Sequence, residues 1–65
     1  MKHPSKIKRL RESRGLSIEE LANIFNIGDL ALQYFEEGNF NMLTIPTLIK
    51  IAQYFGVTTD YILDL

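Results

Sequence analysis

The chain has 65 residues, of which 46% are hydrophobic and 23% charged, and its net charge is −1. A chain this short forms one domain, residues 1–65, and buries only about 60% of the surface that its unfolded form exposes. It contains no cysteine, and its single histidine, His3, precedes the first predicted helix. We therefore expect no disulfide, no metal site and no cofactor.

Apolar residues do not form a run of 18, which is about the length that a membrane helix needs. Lys6, Lys8, Arg9 and Arg11 would interrupt the apolar region of a signal peptide. We expect no membrane segment, and the expected location is the cytoplasm.

Positive charge is concentrated near the N-terminus. Residues 1–14 carry six Lys or Arg and one Glu, whereas residues 15–65 carry one Lys and seven Asp or Glu. The basic run Lys6–Arg11 could be a nucleic-acid patch. We favour a solvated helix face with Arg11 turned inward, because charge without a base-reading surface gives little specificity.

The first two helices are predicted over about 5–14 and 18–25. Gly15 supplies the left-handed residue that ends the first. Ser17 followed by Glu20 is a capping box that opens the second. Leu16 and Leu21 flank that cap as a hydrophobic staple.

A third helix is predicted over about 29–37, after a tight turn in which Asn26 takes a positive φ. Either Gly28 or Asp29 caps this helix, and Gly38 ends it. Leu32 and Phe35 lie three residues apart and face inward.

The last two helices are predicted over about 45–55 and 59–63, with Thr44 and Thr58 as their N-caps. Pro46 is tolerated in the first turn, where its missing N–H would be unbonded anyway. Gly56 closes the fourth helix. The predicted class is all-α.

Together these residues resemble the phage-repressor (Cro and XRE) helix-turn-helix family over about residues 6–63. The matching positions are Arg11, Gly15-Leu16-Ser17, Glu20-Leu21-Ala22, Ile27, Leu32, Phe35-Glu36, Gly38, Thr47-Leu48, Lys50-Ile51-Ala52 and Phe55-Gly56-Val57-Thr58. The resemblance implies a compact five-helix, lambda-repressor-like domain. It also implies a structural ion pair between an arginine of helix one and a glutamate of helix three, here Arg11 and Glu36.

The positions that the family uses to contact DNA depart from its pattern. Relatives place a phosphate-binding glutamine where this chain has Ile18, and polar or basic residues where helix three has Asp29, Leu30 and Tyr34. Base reading favours bidentate Arg, Asn or Gln, and only Gln33 qualifies on this face. Phosphate attraction requires cations, whereas Asp29 and Glu37 repel phosphate.

We therefore predict a small phage- or prophage-type transcription regulator that binds a protein, as an antirepressor or modulator of a repressor with its own helix-turn-helix. The predicted partner-binding face comprises Ile18, Asp29, Leu30, Gln33, Tyr34, Glu37, Phe40 and Met42. Ile18 and Leu30 are expected to stay exposed. Phe40, Met42 and Leu43 either join this face or fold back onto helices three and four.

The alternative is a Cro-like repressor that binds an operator directly as a homodimer. Its contacts would come from helix five and the loop before it, with Tyr61, Ile62 and Leu65 as the possible contact residues. An enzyme is not expected, because no nucleophile–base pair or phosphate loop is visible. The pairs Glu19-Glu20 and Glu36-Glu37 are adjacent on helices, where neighbouring residues do not face each other.

Overall fold

A computed structural model describes residues 5–64. They form α1 (Lys6–Ser13), α2 (Ile18–Phe25), α3 (Asp29–Glu36), α4 (Ile45–Phe55) and α5 (Thr59–Leu63), and no strand occurs in this range. The all-α prediction is confirmed, and each predicted helix end lies within one residue of the observed one. His3 and Leu65 lie outside the described residues.

The start of α2 is built by the predicted capping box. The backbone N–H of Glu20 donates to the Ser17 hydroxyl at 3.0 Å, and the backbone N–H of Ser17 donates to the Glu20 carboxylate at 2.9 Å. These two bonds satisfy N–H groups that the helix itself leaves unpaired.

The turn between α2 and α3 depends on one left-handed residue. Asn26 has φ 55° and ψ 47°, as predicted from its tolerance of positive φ. Gly28 is the N-cap of α3, and because it has no side chain it makes no capping hydrogen bond. Asp29 is the first helical residue. The Asp29 carboxylate thus lies at the positive end of the helix dipole.

Threonines start the last two helices. The Thr44 hydroxyl accepts from the backbone N–H of Thr47 at 3.3 Å, and the Thr58 hydroxyl accepts from that of Tyr61 at 3.1 Å. Gly56, with φ 68°, ends α4 in the left-handed conformation that favours glycine.

Eleven buried apolar side chains form one core. Helix α3 packs against α1 and α2, while α5 packs against α1 and α4. The core residues are Ile7, Leu21, Ala22, Phe25, Leu32, Phe35, Leu48, Ile51, Ala52, Phe55 and Ile62. All five helices contribute side chains to this core, so the core determines which side of each helix faces outward.

An ion pair ties α1 to α3. Arg11 Nε and Nη2 donate to the two Glu36 carboxylate oxygens at 2.7 and 3.1 Å, and Arg11 Nη1 donates to the Leu16 carbonyl at 2.8 Å. The hydrogen bond to Glu36 raises the pKa of Arg11 above its ordinary value. The pair therefore joins α1 to the inward side of α3, beside the buried Leu32 and Phe35.

None of the helices within residues 5–64 has both the length and the apolar character required to cross a membrane.

Candidate functional site

The outward face of α3 follows from which of its residues are buried. Leu32, Phe35 and Glu36 lie inside, with exposures of 0%, 2% and 5%. At 3.6 residues per turn, the opposite side presents positions 30, 33, 34 and 37, and position 29 lies at its edge. We call Asp29, Leu30, Gln33, Tyr34 and Glu37 the α3 face.

Two large apolar side chains lie at the centre of the α3 face. Leu30 is 59% exposed and Tyr34 is 39% exposed. They are four residues apart, so they are neighbours on the helix surface. The Tyr34 carbonyl accepts from the Asn39 backbone N–H at 2.8 Å, which holds the following loop against the end of α3.

The rest of the α3 face is acidic or neutral. Asp29, Gln33 and Glu37 are all exposed. No Lys or Arg occurs between Gly15 and Ile49, a stretch that contains α2, the turn, α3 and the loop to α4. The same stretch carries five carboxylates, of which Glu36 alone is buried against Arg11.

Three of the five cations from Lys6 to Arg14 make contacts within the described residues. Besides Arg11, the Arg14 guanidinium lies over the rings of Tyr54 and Phe55, with centroids at 5.2 and 5.1 Å. The Lys6 ammonium lies 3.5 Å from an Asp64 carboxylate oxygen. The contacts of Arg14 and Lys6 stabilise the packing of α1 and the residue after it against α4 and α5.

Two residues of the predicted partner-binding face, Ile18 and Phe40, pack against the core. Ile18, expected to stay exposed, is half-buried and packs against the core at the start of α2. Phe40 likewise packs against the core, as does Leu43, while Met42 between them is 69% exposed. The loop thus divides, with Met42 outward and its two apolar neighbours inward.

The residues predicted as dimer contacts of α5 differ in how exposed they are. Ile62 is 1% exposed and belongs to the core, so its side chain is not available to a partner copy. The reason is that α5 buries its central apolar residue against α1 and α4. A dimer contact through α5 stays a prediction. Tyr61 is 39% exposed and has the Lys6 ammonium 5.5 Å from its ring centre. Leu65 lies outside the described residues.

The sequence interpretation also missed an apolar surface on α4. Ile45 and Ile49 are 67% and 43% exposed, and they lie four residues apart. Their spacing is visible in the sequence, but they fall beside Leu48 and Ile51 in a continuously apolar segment. Periodicity alone did not separate the inward from the outward residues there.

Within residues 5–64, no three His, Asp or Glu side chains are grouped closely enough to hold a metal ion.

Comparison with known proteins agrees with this architecture. The model of a family described as a helix-turn-helix domain matches residues 5–65. A protein of Pyrococcus abyssi named "Putative HTH-type transcriptional regulatory protein" is 36% identical over 50 residues. That match covers 77% of this chain but 16% of the relative's length. No solved structure matches the chain significantly.

The chain therefore belongs to the helix-turn-helix domain family, as its resemblance to the Cro and XRE repressors implied. In this fold α2 and α3 form the helix-turn-helix, and α3 is the helix that enters the major groove in DNA-binding members. The α3 face lies on the outward side of that helix.

Proposed function

We propose that the chain is a small helix-turn-helix transcription regulator whose α3 face binds a protein partner instead of reading DNA. Family membership and the name of the Pyrococcus relative support the regulator class. The observation that carries the protein-binding part is the chemistry of the α3 face: Leu30 and Tyr34 are exposed at its centre, and no cation accompanies them.

Electrostatics disfavours DNA at this surface. Proteins gain most of their non-specific DNA affinity from Lys and Arg that neutralise phosphates. Here the exposed charges are those of Asp29 and Glu37, which would lie close to the phosphates if α3 entered the groove. Asp29 also offsets the positive helix end that would otherwise attract a phosphate.

Apolar burial favours a protein. Covering a side chain such as Leu30 stabilises a complex by about 1.5–3 kcal/mol when burial is complete. Tyr34 combines a large ring with a hydroxyl group, the combination found at binding hot spots. Gln33 and the two carboxylates would form a polar rim around this pair.

Charge complementarity indicates the kind of partner. A surface with carboxylates around an apolar centre fits a partner that presents cations, and the DNA-binding face of a repressor is such a surface. We infer that the chain acts as an antirepressor or modulator, of phage or prophage type, that covers another regulator's helix-turn-helix.

The first test is titration with a fluorescent duplex of random sequence at low salt. We expect binding weaker than about 100 µM even at low salt, whereas ordinary non-specific binders reach that affinity or better at physiological salt. The variant Asp29→Arg/Glu37→Lys should gain affinity and a steeper salt dependence. Asp60→Lys, which changes charge on α5, is the control. Micromolar, salt-sensitive binding by the unmodified chain would contradict the proposal and favour the Cro-like repressor.

The second test identifies what touches the α3 face in cells. A photo-crosslinking amino acid at position 34 should join the chain to a protein, whereas the same group at position 23 on exposed α2 should not. Leu30→Glu should abolish the position-34 product. Crosslinks from position 34 to DNA alone would refute a protein partner.

A further inference from the structure

An exposed aromatic ring near the end of α4 is held in place from three sides. Tyr54 lies edge-on to Phe25, with ring centres 5.5 Å apart, and edge-on to Phe55, with ring centres 5.0 Å apart. The Arg14 guanidinium lies 5.2 Å from the centre of the same ring. Tyr54 nevertheless remains 37% exposed. The ring is therefore presented in a fixed position, and covering it costs little conformational freedom.

The same contacts position the charge of Arg14. Its guanidinium lies over the rings of Tyr54 and Phe55, and the residue is exposed to solvent. The salt bridges within residues 5–64 belong to Lys6 and Arg11, so no carboxylate neutralises Arg14 there. A guanidinium carries its N–H donors around its edge, where two of them match the two oxygens of a carboxylate. Arg14 is thus placed to receive a carboxylate from outside the chain.

A second cation lies beside the ring. Lys50 and Tyr54 are both exposed and are four residues apart on α4, so their side chains are neighbours on the helix surface. Lys50 is the only charged residue of α4, and the chain contains no Asp or Glu between Glu37 and Asp60. We call Arg14, Lys50 and Tyr54 the α4 patch. Its charges are both positive, whereas the exposed charges of the α3 face are negative.

We propose that the α4 patch is a docking site for an acidic segment of another protein. One carboxylate of that segment would accept two hydrogen bonds from Arg14, and a second would face Lys50. An apolar side chain between them would cover the exposed part of Tyr54. The ligand is therefore an extended peptide in which acidic residues flank an apolar one.

A similar pair on α5 does not have this property. The Lys6 ammonium lies 5.5 Å from the ring centre of Tyr61, but it is also 3.5 Å from an Asp64 carboxylate oxygen. Asp60 adjoins Tyr61 in the same short helix. Carboxylates of the chain itself thus already occupy the position that an acidic ligand would need, so charge favours the α4 patch.

The number of cations favours a peptide over a nucleic acid at this site. Nucleic-acid binders gain their affinity from many phosphate contacts, about 6–10 in a typical protein. The α4 patch offers two cations around one ring. A few residues of an acidic segment supply two carboxylates and an apolar side chain, which match that set completely.

Nitrogen-15 NMR of the whole chain tests the proposal. The probe is the blocked peptide Glu-Phe-Asp-Glu-Leu-Asp, and its neutral counterpart is Gln-Phe-Asn-Gln-Leu-Asn. The acidic peptide should shift the backbone amide signals of Lys50 and Tyr54 and the Nε–H signal of Arg14, with a dissociation constant of about 0.1–1 mM. The neutral peptide should shift them far less, and added salt should weaken the acidic one.

Three variants separate a specific site from general attraction to positive charge. Lys50→Gln should weaken peptide binding about two- to fivefold, the effect of one exposed ion pair. Arg14→Lys keeps the charge but loses the planar edge that binds both carboxylate oxygens, so it should weaken binding at least as much. Arg9→Gln, the matched control, removes a positive charge from an exposed position of α1 and should leave binding unchanged.

Several results would overturn the proposal. They are no shift at these positions with about 5 mM acidic peptide, equal shifts with the neutral peptide, or equal losses in Lys50→Gln and Arg9→Gln. Stronger binding of oligothymidine at the same signals would assign the patch to nucleic acid. Tyr54 signals that move with protein concentration alone would assign it to the acidic surface of a second copy. The α4 patch and the α3 face share no residue, so the two proposals fail independently.

Discussion

Arg11 and Glu36 form a two-pronged ion pair between α1 and α3, with N–O distances of 2.7 and 3.1 Å. The Arg11 side chain is 12% exposed and that of Glu36 is 5% exposed. The third donor of the guanidinium, Nη1, holds the Leu16 carbonyl beside the capping box. One arginine thus positions both helices of the helix-turn-helix relative to α1.

Removal of Arg11 alone should strongly destabilise the fold. Arg11→Met leaves a carboxylate buried without its cation, and breaking a buried pair costs about 3–5 kcal/mol. That is a large part of the stability of a domain this size. Unfolding in urea followed by circular dichroism measures the change in free energy.

The double variant Arg11→Met/Glu36→Leu distinguishes a charge effect from a packing effect. It removes the stranded carboxylate, so it should be more stable than either single variant. If the loss of stability in the double variant equals the sum of the losses in the two single variants, the two residues are not coupled, which would contradict the observed ion pair.

Acid should weaken the start of α2 through Glu20. The backbone and side chain of Ser17 lower the pKa of Glu20 by hydrogen bonding to its ionised form. A pKa that is lower in the folded state adds stability above the unfolded pKa, and this stability is lost as pH falls through the folded pKa. As pH is lowered from neutral into the acid range, the free energy of unfolding of Glu20→Gln should therefore fall less than that of the unmodified chain.

The neighbouring acid provides the matched control for that experiment. Glu19 is exposed and makes no side-chain hydrogen bond within residues 5–64. Glu19→Gln should leave the pH dependence of the urea midpoint close to that of the unmodified chain. Equal effects of the two substitutions would contradict a specific role of the capping box.

Ile62 should behave as a core residue and not as a dimer contact. Ile62→Val should lower the free energy of unfolding by about 0.5–1.5 kcal/mol, because the lost methylene leaves a small cavity. The sedimentation behaviour of the folded variant should match that of the unmodified chain. A change in average mass without a change in stability would restore α5 as the association surface.

Local signals in the sequence determine the helices of this protein. Ser17 with Glu20, Thr44 and Thr58 start helices, and Asn26 and Gly56 terminate them, through hydrogen bonds and φ preferences that span only a few residues. Such short-range effects do not depend on the rest of the fold, so helix ends could be predicted within one residue. The absence of cations from residues 15–49 is likewise a property of the sequence alone.

Tertiary packing decides which apolar residues remain exposed. Ile18, Phe40 and Ile62 turn inward, while Met42, Ile45 and Leu30 remain outside. Their side chains are chemically alike, and exposure depends on how each helix rotates against its neighbours, which long-range contacts such as Arg11 with Glu36 determine. The sequence by itself therefore determined the helix-turn-helix frame and its lack of positive charge. Only the packed structure showed which apolar residues remain outside, on the α3 face and at the start of α4, because burial is a property of the assembled core.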